Sequence, residues 1–274
     1  MASPVRRYFR LAFALTWGIG GIGLLIGIWV PGSQPLSTSS PLYYLAGYSV
    51  SLTGIALTAR YEGTSGLRRL AQRLTPWCSA AWWYVSVVIA YAAITALAWQ
   101  AATHFKSATG AVINWPLFFS ALLPSVAKDP GPIGEEFGWR GFALPRLLER
   151  YSPVKSTLIL GLIHAIWHLP LFFIPGMPQK QLSFPIFTMG VLSIAVFDTV
   201  LYLRTGASLL LAIIVHLMAN VCGGLVVGVL GAQAFPFFAG AEAVVAFAIV
   251  MAGGLKAAGR RASPPPQAVS TVHR

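Results

Sequence analysis

The stretch Pro124-Ser125-Val126-Ala127-Lys128-Asp129-Pro130-Gly131-Pro132-Ile133-Gly134-Glu135-Glu136-Phe137-Gly138-Trp139-Arg140-Gly141-Phe142 decides how this chain is read. An apolar run over about 114–127 breaks at Lys128-Asp129-Pro130-Gly131-Pro132, and two adjacent glutamates follow directly. Proline cannot continue a helix without losing a backbone hydrogen bond. Non-helical backbone at membrane depth is tolerated only where protein buries it or where it lines a wet cavity. Ionisable groups at that depth are costly and usually mark a pathway or a reactive site. Glu135 and Glu136 are therefore the first candidates for function, and the break ahead of them suggests a water entrance.

Composition sets the membrane context. Of 274 residues, only 9% are charged and 56% are hydrophobic, and the mean hydropathy is +0.70. A soluble domain carries about 25% charged residues. Several apolar runs approach or exceed the roughly 18 residues that span a bilayer. They do not alternate as barrel strands would. The expected fold is an all-α polytopic membrane protein, a single domain over 1–261. About eight spans are expected near 11–30, 42–59, 79–99, 114–127 continuing irregularly into 132–149, 156–174, 185–203, 208–228 and 232–254. The tail 262–274 holds Ser263-Pro264-Pro265-Pro266-Gln267 and reads as disordered and cytoplasmic.

The net charge of +12 raises the question of nucleic acid, but the basic residues fall in short clusters between apolar spans, so membrane orientation explains them better. With the N-terminus cytoplasmic, the inner side collects Arg6, Arg7, Arg10, Arg60, Arg68, Arg69, Arg73, Arg146, Arg150, Lys155, Arg204, Lys256, Arg260, Arg261 and Arg274. The outer side receives Lys106 and Lys180, with Lys128 and Arg140 near or inside the fourth segment. This asymmetry supports an even number of spans with both termini cytoplasmic. The run 11–30 follows Arg6, Arg7 and Arg10 and is long for a signal peptide, so it reads as an uncleaved first span. Cys78 and Cys222 form no metal or redox motif and read as small hydrophobes. The expected place is the plasma membrane of a bacterium, as a multi-pass protein.

Two further apolar spans carry polar groups. The fifth contains His164-Ala165-Ile166-Trp167-His168-Leu169-Pro170, and the seventh contains His216-Leu217-Met218-Ala219-Asn220. Residues four apart differ by roughly 40° around a helix, so His164 shares a face with His168, and His216 with Asn220. Glu136 and Arg140 are spaced the same way and can form an internal salt bridge, leaving Glu135 as the reactive carboxylate. Such a set suits amide hydrolysis. A carboxylate can take a proton from water and return it to the leaving amine. A histidine and an asparagine can hold the oxyanion of a tetrahedral intermediate. Glu135, His168 and His216 could alternatively bind one zinc ion with an open fourth position, although no His-Glu-x-x-His signature is present. The metal-free and zinc readings both stand at this point. No Ser or Cys partners the histidines as a nucleophile.

The ordered motifs resemble those of the CPBP intramembrane proteases, a family that includes CAAX prenyl endopeptidases and bacteriocin-processing or immunity-associated proteins. The family's Glu-Glu-x-x-x-Arg is matched by Glu135 to Arg140, extended by Gly141-Phe142-Ala143-Leu144-Pro145-Arg146-Leu147. Its second motif ends at His168, and its third is matched by His216 and Asn220 after Leu203-Arg204-Thr205-Gly206. The resemblance covers about 130–222, in a core of about 114–228. It implies that Glu135 and His168 activate water, that His216 and Asn220 hold the oxyanion, and that Glu136 and Arg140 support the first motif. It also implies a conical cavity lined by the fourth, fifth and seventh spans, and a peptide or lipidated-protein substrate. His164 departs from the pattern, standing where the second motif usually has an aromatic residue. It either adds a polar group to the cavity or replaces the packing of the ring.

Two readings compete with an endopeptidase, a non-catalytic scaffold or immunity protein on the same fold and a proton-coupled transporter. Asp198, in the sixth span, is expected to hydrogen-bond at the helix end or to pair with Arg204 near the cytoplasmic end. Glu242 is isolated in the last span. Arg60, Arg68, Arg69 and Arg73 read as a cytoplasmic basic loop.

Overall fold

A computed structural model describes residues 3–30, 33, 36–75, 81–106, 116 and 128–256. Among these the chain is all helical. The long helices are α1 (Pro4–Trp29), α2 (Pro41–Gln72), α3 (Trp82–Lys106), α7 (Phe184–Arg204), α8 (Leu209–Leu230) and α9 (Phe235–Met251). Between α3 and α7 lie α4 (Gly131–Glu136), a π-helical stretch (Phe137–Ala143), α5 (Leu144–Leu148) and α6 (Pro153–Trp167). Six helices are long and apolar enough to cross a membrane, α9 counting with the short turn that opens it. The eight expected spans are reached only if two shorter units are added: the continuous helical stretch from Gly131 to Leu148, and α6 with its 15 residues. The expected run 114–127, Cys78 and the tail 262–274 lie outside the described residues.

Helix boundaries follow local chemistry. Pro stands at the first or second position of α1, α2, α4, α6, α7 and α9, where its missing N–H costs nothing. Ser40, Ser152 and Ser208 cap α2, α6 and α8 through their side chains. The expected fifth span ran to 174, but α6 stops at Trp167. Pro170 follows, and 3-10 turns at Leu169–Phe172 and Pro178–Gln181 carry the chain to α7. Conversely α2 runs on to Gln72, well past the apolar limit near 59, turning at Gly63 (φ 62°).

The helices pair in an alternating bundle. α1 and α2 are antiparallel: Arg7 Nη1 donates to the Tyr61 hydroxyl (3.2 Å) at one end, and Thr16 Oγ1 lies 2.5 Å from Ser49 Oγ farther along. The stretch 131–148 runs beside α2 in the same direction, from Ser51 Oγ on the Ile133 carbonyl (2.8 Å) to the ion pair of Glu62 with Arg146. α8 runs against it, with Asn220 beside Asp129 at one end and Leu209 N–H on the Arg73 carbonyl at the other.

The crossing of α2 with the π-helical stretch is backbone on backbone. A Cβ at Gly138 would stand 2.6 Å from the Val50 carbonyl oxygen, and one at Gly54 would stand 2.8 Å from the Gly138 Cα. Small residues permit this approach where no hydrophobic force drives helices together in lipid. Tyr8, Trp139 and Phe142 pack around it, fully buried. The blocking atoms at Gly138 include backbone, so they cannot swing aside. Gly138→Ala is expected to lower stability in detergent by about 1–3 kcal/mol or more. Gly228→Ala, in open space on α8, should be neutral or slightly stabilising. Thermal unfolding of the two variants beside the parent checks this.

Candidate active site

The two glutamates close α4, and the π-helical stretch begins directly after them. The span expected to continue irregularly into 132–149 is irregular here: the Leu144 N–H reaches back five residues to the Trp139 carbonyl. Pro145 gives the reason. It has no N–H for the carbonyl of Gly141 at four-residue spacing, or for that of Arg140 at five. Both orphaned carbonyls are taken by Arg73, through Nη1 to Gly141 O (3.1 Å) and Nη2 to Arg140 O (2.8 Å), while its Nε donates to Ala207 O (2.7 Å). Arg73 is therefore not a surface charge of a basic loop, as expected from sequence. It is a half-buried clamp joining α2, the π-helical stretch and the start of α8.

Glu136 and Arg140 pair as expected, at 2.8 Å, and both are buried. The second partner of Arg140 was not expected. Its Nη2 lies 2.7 Å from Asp198 Oδ2, with Asp198 also buried. The expected pairing of Asp198 with Arg204 is overturned. Arg204 closes α7 as an exposed residue, six positions beyond Asp198, whereas Arg140 offers a second guanidinium edge in the bundle interior. Glu136 Oε1 also meets His216 Nδ1 at 2.8 Å.

Glu135 sits in a different set. Its Oε2 accepts from Trp139 Nε1 (3.2 Å) and lies 2.7 Å from His164 Nε2. His164 is thus a polar partner of the carboxylate, not packing that replaces an aromatic ring. Trp139, four residues after Glu135, was missed; the helical spacing that pairs Glu136 with Arg140 could have found it. Glu135 Oε1 faces His168 Nε2 across 4.0 Å, too long for a direct hydrogen bond. His168 Nδ1 lies 3.1 Å from the His164 carbonyl oxygen, which can only accept, so this nitrogen carries the proton. The neutral ring then presents a lone pair at Nε2. Two acceptors face each other across a gap that suits one doubly donating water, or a cation.

On the other side of the glutamates, His216 and Asn220 come together as expected. A Cβ on Gly131 would stand 3.0 Å from His216 Nε2 and 3.2 Å from Asn220 Nδ2, so both nitrogens converge on one small space. Asp129 is a further residue the sequence reading missed, visible only as a charge inside the proline break. Its Oδ2 accepts from Asn220 Nδ2 (2.6 Å), and its Oδ1 accepts from the Gly131 N–H (2.9 Å). That arrangement fixes the amide orientation and leaves the second Nδ2 proton free.

Asp129, Glu135, His164, His168, His216 and Asn220 line one cavity of about 1070 Å³, while Trp139, Glu136, Arg140 and Asp198 stand behind its wall. This exceeds the roughly 300–1,000 Å³ of small-molecule pockets and leaves room for a stretch of peptide. The cavity is broader than the expected one. Besides the fourth, fifth and seventh spans, α1 contributes Thr16 and Trp17, α2 contributes Tyr43 and Gly47, and α9 contributes Phe235.

A metal fits part of the site. Glu135, His164 and His168 each offer one ligand atom, all within 4.8 Å of one another and all buried. One carboxylate with two imidazoles is a donor set of catalytic zinc. The set differs from the expected Glu135, His168 and His216 in that His164 stands in the place of His216.

The described residues thus form an all-helical, multi-pass bundle in which a buried glutamate–histidine cluster faces a large internal cavity. Residues 113–222 match the family model for Type II CAAX prenyl endopeptidase Rce1-like proteins. CAAX prenyl protease 2 of Methanococcus maripaludis is 33% identical over 92 residues, which cover 31% of this chain and 34% of that protein. The chain therefore spans about a third of the length of the curated relative it matches.

The ion cluster makes a distinguishing prediction. Arg140→Met leaves two buried carboxylates without their cation and should cost about 3–5 kcal/mol. Asp198→Ala removes one ion pair and leaves Arg140 its Glu136 partner, so it should cost less than Arg140→Met. Arg204→Ala should stay within about 0.5 kcal/mol. Denaturation of the purified proteins in one detergent ranks the three.

Proposed function

We propose that the chain is an intramembrane endopeptidase in which Glu135 and His168 hold and activate the attacking water. The observation that carries this reading is the pair of acceptors, Glu135 Oε1 and His168 Nε2, facing each other at 4.0 Å beside a large cavity. A water between them donates one proton to each and turns its oxygen lone pairs toward the substrate. Glu135 takes the proton as the oxygen attacks the peptide carbonyl, and later returns it to the leaving nitrogen. Trp139 and His164 hold the other carboxylate oxygen, so the attacking edge of Glu135 keeps its direction.

His216 and Asn220 suit the oxyanion. Donors about 2.7–3.1 Å from the developing charge are the geometric requirement, and the space beside Gly131 on which Nε2 and Nδ2 converge supports it. Glu136 accepts from Nδ1 and balances the imidazolium whose Nε2–H would donate. Asp129 holds Asn220 from behind.

A zinc ion held by Glu135, His164 and His168 would polarise a bound water or the substrate carbonyl. The substrate class is a peptide, or a protein segment embedded in or tethered to the bilayer. The CAAX specificity carried in the relative's name is one member of that class.

Loss of general acid–base catalysis costs about 10²–10⁴-fold. Glu135→Gln and His168→Ala are each expected to lower cleavage by that range while leaving expression and unfolding temperature near the parent's. The readout is new N-termini in the membrane proteome of cells producing each form. Identical sets of termini from parent and Glu135→Gln would overturn the reading in favour of a non-catalytic scaffold.

Elemental analysis of purified protein separates the two forms of the chemistry. If zinc is held, one equivalent is expected in the parent and in His216→Ala, and none in His164→Ala. Full activity in metal-free parent protein removes the zinc form and leaves the water-bridged pair.

A further inference from the structure

The bundle has two unlike ends, and the cavity opens at the less basic one. One end gathers the starts of α1, α3, α6 and α8 with the ends of α2, α5, α7 and α9, as the Arg7–Tyr61, Glu62–Arg146 and Arg73–Leu209 contacts show. Arg6, Arg7, Arg10, Arg60, Arg68, Arg69, Arg73, Arg146, Arg150, Lys155, Arg204 and Lys256 all fall on segments at this end. The opposite end holds Lys106, Lys128 and Lys180. The cavity is lined toward that opposite end, by Leu24, Tyr43, Lys128, Met177, Gln179 and Val227.

Depth agrees. Pro153 opens α6 at the basic end, and His164 stands eleven residues on, about 17 Å at 1.5 Å per residue. Glu135 Oε2 lies 2.7 Å from His164 Nε2, so it stands at the same depth. In a hydrocarbon core about 30 Å thick, both lie past the mid-plane, on the side of the mouth.

Short, Lys- and Arg-rich loops next to spans stay on the cytoplasmic side, and acidic residues hardly alter the bias. We propose that the basic end is cytoplasmic and that the cavity opens on the extracytoplasmic face. It takes peptide bonds of exported chains: a secreted precursor, or the outer juxtamembrane stretch of a membrane-anchored protein. The tail of a cytosolic prenylated protein would have to cross the bilayer to reach Glu135. The substrate class rests on the endopeptidase reading; the orientation does not. The lining beside the mouth is rich in aromatic and aliphatic side chains (Trp17, Tyr44, Trp167, Leu171), which suits apolar side chains of such a segment.

Full-length protein without its native cysteines (Cys78→Ser with Cys222→Ser) carries the test in a cell's plasma membrane. Lys180→Cys places an exposed thiol at the mouth end, and Arg150→Cys places one at the basic end. A membrane-impermeant maleimide should label Lys180→Cys as fully in intact cells as after lysis, and Arg150→Cys only after lysis. A fluorescent protein fused to the C-terminus of the full chain should fluoresce, as it does only in the cytoplasm. The reverse labelling, labelling of both thiols in intact cells, or a dark fusion at normal protein level overturns the orientation. The same pattern is expected with Glu135→Gln added, because labelling does not depend on cleavage. Expected labelling with unchanged proteome termini would therefore sink the endopeptidase reading alone. Expected labelling with new termini confined to cytosolic segments would sink the proposed substrate class alone.

Discussion

Arg140 is the interaction on which the rest of the site depends. It is buried, hydrogen-bonded through Nη1 to Glu136 and ion-paired through Nη2 with Asp198. Two carboxylates and one guanidinium leave a net negative charge in a region where unpaired charge is costly. Glu136 reaches His216, the next group able to carry a positive charge. The cluster thus ties the glutamate segment to α7 and α8 through electrostatics that cannot be relieved by solvent. Position follows from that constraint. With Glu136 held on both sides, its neighbour Glu135 is delivered to α6 and to the two histidines there.

The backbone of the segment is as constrained as its charges. Pro145 removes the donor that a regular helix would need, the turn widens, and the carbonyls of Arg140 and Gly141 fall to Arg73. Widened turns of this kind recur at functional sites because they re-aim side chains within a helix. Here the widening directly follows Glu135 and Glu136, and Gly138 allows α2 to lie against it. The glutamates therefore project from the last regular turn before the irregularity, while Trp139 and Arg140 come from the irregular turn itself to hold them. The geometry of the glutamate pair is set by the segment's own sequence, with α2 acting as a splint.

Much of this was legible in the chain. Apolar length gave the helices, the proline positions gave their starts, and the i,i+4 spacing gave the Glu136–Arg140 pair. Other features were not legible, for identifiable reasons. The partnership of Asp198 with Arg140 joins residues 58 positions apart, and no local spacing encodes it. Arg73 sits beside other arginines, so a half-buried clamp and a solvated charge look alike in sequence. His164 occupies a position where either a ring to pack or a donor to bond would fit a helix face. Only the approach of α4 to α6 decides between them. Asp129 was hidden inside a break read for its prolines, yet it is what orients Asn220.

The division of labour between the two glutamates can now be argued from hydrogen-bond capacity. Glu136 Oε1 already serves Arg140 and His216 and belongs to a closed charge cluster, so a proton moved onto it would disturb the fold's own electrostatics. Glu135 has no guanidinium partner among the described residues. One of its oxygens is held by two donors, Trp139 and His164, and the other faces a histidine lone pair across a gap. An arrangement of two acceptors in a low-dielectric interior is unfavourable by itself. It is stable only with something between them that offers positive charge or protons on both sides. Water and a divalent cation are the two species that do so, and both are reagents for breaking an amide bond. The same geometry that makes the gap costly to leave bare is what the proposed reaction would use to hold its attacking oxygen.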